Sequence, residues 1–392
     1  MKRETRKVKR IIILGSTGSI GRNALRVVSA LNKDLVVSGL SARSNWRLLL
    51  KQAEEFSVSN VAIADPLAAE ECSKSAPLGL NVFSGPEGLD EMASKLEADT
   101  LLCAVVGLSG LSPVLGAVQS GKDVALATKE VLVSAGGLLT QACSKHRVGL
   151  LPVDSEQSAL HQCLDGARAA EVSRIILTAS GGPFENRPEA DFDSVTVEDA
   201  LSHPNWSMGE KVSIDSATMM NKGLEMIEAA WLFDVPFSAV EVLVHPESIV
   251  HSLVEFRDRS ILAQMSVPDM RFAIQYALTY PDRLSADLPS LDLARCGSLN
   301  FRKPDENRFP CLRLARTAGL AGGTMPAVMN AANEVAVSKF VAGAIPFSGI
   351  PRVVEETMRK HEIIDEPGLN AILQCDTRAR EQAEMLCAKT AE

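Results

Sequence analysis

Along the first 153 residues, short apolar runs alternate with amphipathic stretches of helical period. The runs lie at 11–14, 35–40, 60–64, 101–106, 124–127 and 148–153, and amphipathic segments at 20–31, 46–56 and 129–145 fall between them. Strand and helix alternating at this pitch predict an α/β fold: a Rossmann-like, doubly wound parallel sheet with right-handed crossovers. The near-continuous apolar character of the runs fits strands buried on both faces. From residue 154 the pattern changes. The runs at 174–177, 239–245, 250–256 and 260–266 are more amphipathic, with Arg257-Asp258-Arg259 as a hairpin turn, which predicts an α+β catalytic domain over 154–280. Residues 281–307 show little periodicity and read as a linker. Segments 312–318, 327–340 and 353–361 make the remainder, 308–392, a C-terminal helical domain.

Composition narrows the class. The chain has 392 residues, more than one ordinary domain, and 46% hydrophobic with 23% charged residues excludes a disordered protein. With 40 Lys and Arg against 49 Asp and Glu, the net charge of −9 argues against nucleic-acid binding, which needs clustered excess cations. Eight cysteines occur without a CxxC, so free thiols in a reducing compartment are expected rather than a disulfide frame or a zinc cage. The basic start, MKRETRKVKR, lacks the apolar core of a signal peptide, and a cytoplasmic location is expected. The uncharged stretch 100–121 is broken by Gly107, Gly110, Pro113 and Gly116, so no membrane span is expected.

Chemistry concentrates in a few places. Gly15, Gly18 and Gly21 punctuate a strand–turn–helix, where glycines allow positive φ, close approach to a pyrophosphate and tight helix–strand packing. The helix start there favours a phosphate. An NAD site usually carries an acid at the end of the second strand; this chain reads Leu40-Ser41-Ala42-Arg43-Ser44-Asn45, which favours the 2′-phosphate of NADP. A solvated loop cation is the alternative reading of Arg43.

Asp154 and Glu156 follow the run at 148–153. In an extended chain, side chains at i and i+2 leave the same face, and paired hard oxygens suit Mg²⁺ or Mn²⁺ better than zinc. A solvated pair is the alternative. In a helix predicted over 216–233, Met220, Leu224, Ile227 and Trp231 form the core stripe. Asn221, Lys222, Glu225 and Glu228 lie off it, so Lys222 and Glu225 are expected at a polar cleft or in an exposed ion pair. Gly223 hints that something approaches the backbone closely. Thr178-Ala179-Ser180-Gly181-Gly182-Pro183 is a second small-residue turn, able to present backbone donors and a hydroxyl to an anion. It opens a long segment, 182–209, that reads as a flap carrying His203 and Trp206 and hinged near Gly209. His245 and His251 read as structural, because Pro246 interrupts the strand that would align them. No Gly-x-Ser-x-Gly turn supports acyl chemistry.

Taken together, GSTGSIG (15–21), ATKE (127–130), LPVDSE (151–156), SGGPF (180–184), HPNWSMG (203–209), DSATMMNKGLE (215–225), HPESIVHS (245–252), PDM (268–270) and MNAANE (329–334) resemble the 1-deoxy-D-xylulose 5-phosphate reductoisomerase family, in family order over nearly the whole chain. The resemblance implies NADPH- and divalent-metal-dependent conversion of 1-deoxy-D-xylulose 5-phosphate to 2-C-methyl-D-erythritol 4-phosphate by a homodimer, with Mg²⁺, Mn²⁺ or Co²⁺ as the metal. It implies Asp154, Glu156 and Glu225 as metal ligands. Ser180, Ser216, Asn221 and Lys222 would hold the substrate phosphate beside His203, with Ser155 and Lys129 on its polar backbone and Trp206 in the closing flap. Lys129, Glu156 and His203 would be the catalytic set. Thr17, Gly18, Ser19, Ile20, Ala42, Arg43 and Asn45 would bind NADPH, with Thr128, Glu130 and Gly209 on the cofactor side. Gln157 stands where many members have His, Thr128 where many have Asn, and Val267 precedes PDM where some have an acid. Two alternatives share parts of the pattern: another NADP-dependent oxidoreductase, such as a semialdehyde or homoserine dehydrogenase, and an NADP-sensing protein without chemistry. The intact DSE and KGLE carboxylates speak against both.

Overall fold

The structure is a computed structural model, and it describes residues 8–390 apart from 186, 204, 205, 207 and 286. It forms two compact units. The first comprises the chain up to Val131, Leu139–Ser158 and Asp269–Pro289; the second comprises Leu132–Leu138, Ala159–Pro268 and the chain from Ser290.

The first unit is built on seven parallel strands: β1 (Lys9–Leu14), β2 (Leu35–Ala42), β3 (Asn60–Ile63), β4 (Asn81–Ser84), β5 (Thr100–Cys103), β6 (Asp123–Leu126) and β7 (Leu150–Pro152). Their order is β4-β3-β2-β1-β5-β6-β7. Ile11, Ile12, Ile13 and Leu14 are wholly buried because β1 is central, paired to β2 on one side and β5 on the other. The connections reverse direction between β1 and β5, so the loops after these two strands diverge and open a crevice at their carboxyl ends. Strand β4 gives no apolar run in the sequence, since it is an edge strand with no buried residue. The run at 101–106 overshoots β5, because the chain leaves the sheet after Cys103 and turns through Gly107 at φ +73. Helix Arg271–Thr279, far along the chain, adds Ile274, Ala277 and Leu278 to this unit's core.

The second unit holds a mixed sheet of β8 (Val172–Ala179), β9 (Val240–Val244), β10 (Val250–Phe256) and β11 (Ile261–Met265), in the order β11-β10-β8-β9. The expected hairpin joins β10 to β11, with Arg259 at φ +73. The helix expected over 216–233 is two helices, Glu210–Ala217 and Met220–Leu232. They part at Met219, whose φ is +62, while the Thr218 hydroxyl accepts the Met220 N–H. Helices Pro310–Ala321, Met325–Val341, Gly349–Arg359 and Leu369–Thr390 complete the unit. Among the described residues no helix is long and apolar enough to cross a membrane. All eight cysteines carry free thiols; burial pushes those of Cys103, Cys143 and Cys163 up to about 11 and that of Cys311 to about 12.

Candidate active site

The three glycines after β1 do three different jobs. Gly15 has φ +83, and a Cβ there would stand 2.6 Å from the carbonyl oxygen of Ala104. A Cβ on Gly21 would stand 2.3 Å from the Gly15 oxygen, so the helix Ser19–Ala30 begins pressed against the turn. Gly18, by contrast, has an ordinary φ of −76, and its nearest neighbour to an added Cβ is 3.4 Å away. Of the three, then, only Gly15 has the positive φ anticipated for this turn. Gly18 supplies an open helix start: it is exposed, brings no side-chain acceptor, and no acid follows in the first turn. Outward-facing N–H groups and the helix dipole suit a pyrophosphate. Thr17 and Ile20 are half-buried and Ser19 is exposed on the same turn.

This turn is fastened from behind. The Gly15 N–H donates to the Ser41 hydroxyl (3.0 Å), the Ser16 hydroxyl donates to Gln52 Oε1 (2.7 Å), and Gln52 Nε2 donates back to the Ser16 carbonyl (3.1 Å). Ser41 and Gln52 escaped the sequence reading; a glutamine on the buried face of an amphipathic helix was the available signal. At the end of β2, Ala42 is buried, and Arg43 and Asn45 are exposed. Asn45 accepts the Leu48 N–H at 3.2 Å and caps the helix Trp46–Glu55. The Thr128 hydroxyl donates to the Val105 carbonyl, so that side chain ties the loop after β5 to the one after β6. Glu130 is buried.

Asp154 and Glu156 do not lie on an extended strand. Strand β7 ends at Pro152 and a helix, Ser155–Cys163, starts at once, so Asp154 precedes the helix and Glu156 sits in its first turn. A helix N-terminus favours carboxylates there, and the strand-alternation argument does not apply. Lys129 Nζ lies 2.7 Å from the Asp154 carboxylate, and the Ser155 hydroxyl donates to Glu156 at 2.6 Å.

In the second unit, Lys222, Glu225 and Glu228 are 4%, 1% and 0% exposed, whereas Trp231, expected in the core, is 44% exposed. Met220, Leu224 and Ile227 are buried as the stripe predicts, so the helix is covered on more than one face. A Cβ on Gly223 would stand 2.3 Å from Ala315 Cβ, so helix Pro310–Ala321 packs directly against the helix at Gly223. Trp231 lies flat over Gly136 and Gly137, where an added Cβ would meet its ring at 2.3 and 3.3 Å. Within the buried face, Lys222 Nζ and Asn221 Nδ2 both donate to the Glu225 carboxylate.

Nearby in the same unit, the Ser180 hydroxyl and His203 Nε2 are 2.8 Å apart. His203 Nδ1 accepts the Trp206 N–H, so neutral His203 carries its proton on Nε2 and donates to Ser180. Burial lowers the His203 pKa, which favours that neutral form. Ser180 also accepts the Gly182 N–H at 3.2 Å, which leaves its own O–H to donate outward. Ser216 is half-buried, and its carbonyl would be 2.7 Å from a Cβ on Gly182. Gly209 precedes helix Glu210–Ala217 with open space around it. Within the HPNWSMG motif, Pro204, Asn205 and Ser207 lie outside the described residues. His245 is spent on structure: Nε2 accepts the Ile249 and Val250 N–H groups, and the ring stacks 4.6 Å from Phe301.

A Rossmann-like sheet with a fastened glycine turn, together with an acidic set suited to a hard cation, defines a nicotinamide-dependent oxidoreductase that also uses a divalent metal. Family models for 1-deoxy-D-xylulose 5-phosphate reductoisomerase match residues 11–136, its C-terminal domain model matches 150–233, and a DXP reductoisomerase C-terminal domain model matches 265–382. The reductoisomerase of Pelotomaculum thermopropionicum is 52% identical over 95% of this chain and 97% of its own. The Zymomonas mobilis enzyme solved with NADPH superposes with a TM-score of 0.91 at 42% identity, covering 97% of this chain and 99% of its own. A reductoisomerase solved with NADPH, fosmidomycin and magnesium gives 0.91 at 38% identity, covering 97% and 98%. The chain belongs to the 1-deoxy-D-xylulose 5-phosphate reductoisomerase family. It is an NADPH- and divalent-metal-dependent enzyme of non-mevalonate isoprenoid precursor synthesis, converting 1-deoxy-D-xylulose 5-phosphate to 2-C-methyl-D-erythritol 4-phosphate.

Proposed function

We propose a division of labour among this chain's residues in that reaction. Asp154, Glu156 and Glu225 form the divalent-cation set. All three are hard-oxygen donors, with Asp154 against Lys129 and Glu225 against Lys222. When bound, the cation supplies Lewis acidity toward the substrate's oxygens and NADPH supplies the hydride. Lys129, held by Asp154, donates to the substrate's oxygens and holds a proton beside them; Ser155 orients Glu156 through its hydroxyl. Lys222, Asn221, Ser216 and the outward O–H of Ser180 hold the phosphate, with neutral His203 fixing the Ser180 rotamer. Trp206 lies 6.3 Å from the His251 ring and shields the site from water as part of the flap over 182–209.

On the cofactor side, the turn Thr17-Gly18-Ser19-Ile20 takes the pyrophosphate, and Arg43 with Asn45 reads the 2′-phosphate beside Ala42. Thr128 contributes main chain only, since its hydroxyl is committed to Val105; Glu130 and Gly209 line the nicotinamide side. The observation that carries the assignment is the Lys222–Glu225 pair. A lysine and a carboxylate at 4% and 1% exposure would be a costly choice for stability alone, where apolar residues serve as well or better. The test is NADPH oxidation with 1-deoxy-D-xylulose 5-phosphate as the only substrate, with and without a chelator. Turnover that survives chelation would remove the carboxylates from a metal role.

The working form is a cytoplasmic homodimer, and as functional modules we divide the chain at 153, 280 and 307. Ile261 and Leu262 on edge strand β11 are 48% and 51% exposed, an unpaired apolar edge that a second copy would cover. Sedimentation of the wild type against Leu262→Lys tests it, with a monomer expected only for the variant.

A further inference from the structure

The turn that carries Ser180 does not support itself. Gly181 and Gly182 have φ of +90 and +70, a pair of conformations with little intrinsic preference to hold them. Two arginines from a distant stretch brace it. The Glu185 carboxylate folds back over Gly181 so closely that an added Cβ would stand 1.9 Å from it. Arg302 grips that carboxylate, with Nε at 2.6 Å, and the Arg302 backbone exchanges hydrogen bonds of 2.8 and 3.0 Å with Val244 at the end of β9. Six positions on, the Arg308 guanidinium donates to three main-chain carbonyl oxygens, those of Phe184, Glu185 and Arg187. Its Cζ lies 5.8 and 5.1 Å from the ring centroids of Phe192 and Phe309. Asp305 sets the root of that side chain by accepting the Arg308 N–H at 3.1 Å.

We propose that Arg308 is a positioning residue for the phosphate end of the substrate, acting through the 184–187 segment on the Gly181–Gly182 turn and the Ser180 hydroxyl. This rests on the reading of Ser180 as a phosphate ligand. Two physical arguments carry it. Three carbonyls converging on one side chain require a planar fork of donors, which only arginine supplies. In addition, a carboxylate placed behind a phosphate turn would repel a dianion; Arg302 and Arg308 outweigh Glu185 and leave the turn backed by positive charge.

The test uses the full-length enzyme with its metal and NADPH, in the variants Arg308→Met, Arg308→Lys, Ser180→Ala and the double variant Arg308→Met/Ser180→Ala. For Arg308→Met, the KM for 1-deoxy-D-xylulose 5-phosphate should rise roughly tenfold or more, while the KM for NADPH stays level. Lysine should recover only part of the loss, because it restores the charge without the fork. In the Ser180→Ala background, removing Arg308 should cost much less than in the wild type, since both act on one contact. Equal rises in both KM values, full rescue by lysine, or complete additivity would each overturn the proposal. If Ser180→Ala raises KM and Arg308→Met does not, the bracing idea fails alone. If Ser180→Ala has no effect, the phosphate reading itself fails. Should Arg308→Met not fold, Arg302→Gln keeps the three carbonyl bonds but loosens Glu185. It should raise the same KM by a smaller factor, and no change in that variant would also refute the bracing.

Discussion

The protein contains two small-residue turns, each at the carboxyl end of a strand; both need glycine and both are fastened from behind, but they differ in which contact dominates. The turn after β1 is made by what its residues lack: Gly15 and Gly21 leave room for backbone to touch backbone at distances a methyl group would block. The turn after β8 also requires glycine at 181 and 182, but it depends further on what other residues add: Glu185 close in the chain, and the distant Arg302 and Arg308, hold it from behind. A backbone-built site is vulnerable to an added atom. A side-chain-built site is vulnerable to a removed one.

The largest expected effect falls on the side-chain-built half. Glu225→Gln should lower turnover on the order of a hundredfold, with partial recovery at raised Mn²⁺. Its melting temperature should also fall, because Lys222 would be left buried beside a neutral partner. That reverses what an exposed carboxylate would do, and unchanged melting would show the pair to be dispensable. Next, Gly21→Ala should both weaken NADPH binding and destabilise the fold by about 1–3 kcal/mol, since its Cβ would overlap the Gly15 carbonyl. Gly18→Ala should weaken NADPH binding alone; if the two variants melt alike, the assignment of separate jobs to these glycines is wrong.

A smaller effect is expected at Arg43. Replacing it with Ala should raise the KM for NADPH roughly tenfold and leave NADH use unchanged, as loss of one charge-assisted phosphate contact would. A cofactor ratio that does not move would assign the 2′-phosphate to another group. The smallest effect concerns pH. Burial lowers the pKa values of His161, His203 and His361 below the ordinary 6.5. Below 6.5 the unfolded chain binds more protons than the native one, so stability is complete above that pH and declines as pH falls through the window beneath it. Melting followed from pH 7.5 to 5 should show this decline, and His203→Gln should shallow it; an identical slope would exclude His203 from the effect.

The same contrast explains what was legible in the sequence. Gly15 and Gly21 could be read because a backbone demand leaves a glycine at a fixed spacing. Ser41 and Gln52, which fasten that turn, were harder to read: Gln52 on the buried face of its helix gave the one signal, and nothing tied either residue to Gly15 and Ser16 until the fold did. The apolar runs marked six strands of the large sheet but not β4, an edge strand with no buried residue to signal it. Periodicity put Met220, Leu224 and Ile227 in the core correctly but misjudged Trp231 and the burial of Lys222, Glu225 and Glu228, because a helix covered on more than one side has buried charges that imitate an exposed face. Asp154 and Glu156 were found for an incorrect geometric reason: the pair sits at a strand-to-helix turn rather than on a strand. Arg302 and Arg308 carried no local signal, standing more than a hundred positions from the turn they hold.

The buried cysteines give the molecule a built-in clock. With the thiols of Cys103, Cys143 and Cys163 raised to about 11, only about one in ten thousand is ionised at neutral pH even where a reagent could reach it. Cys311, at about 12, is slower still. At the buried Cys103, Cys143 and Cys311, alkylating agents and peroxides must therefore wait for the chain to open before they react. Cys103 and Cys143 lie in the first unit and Cys311 in the second, so the order in which these three are modified would time the opening of each part separately. The enzyme thus keeps a record of its own breathing in the sulfur atoms it shields.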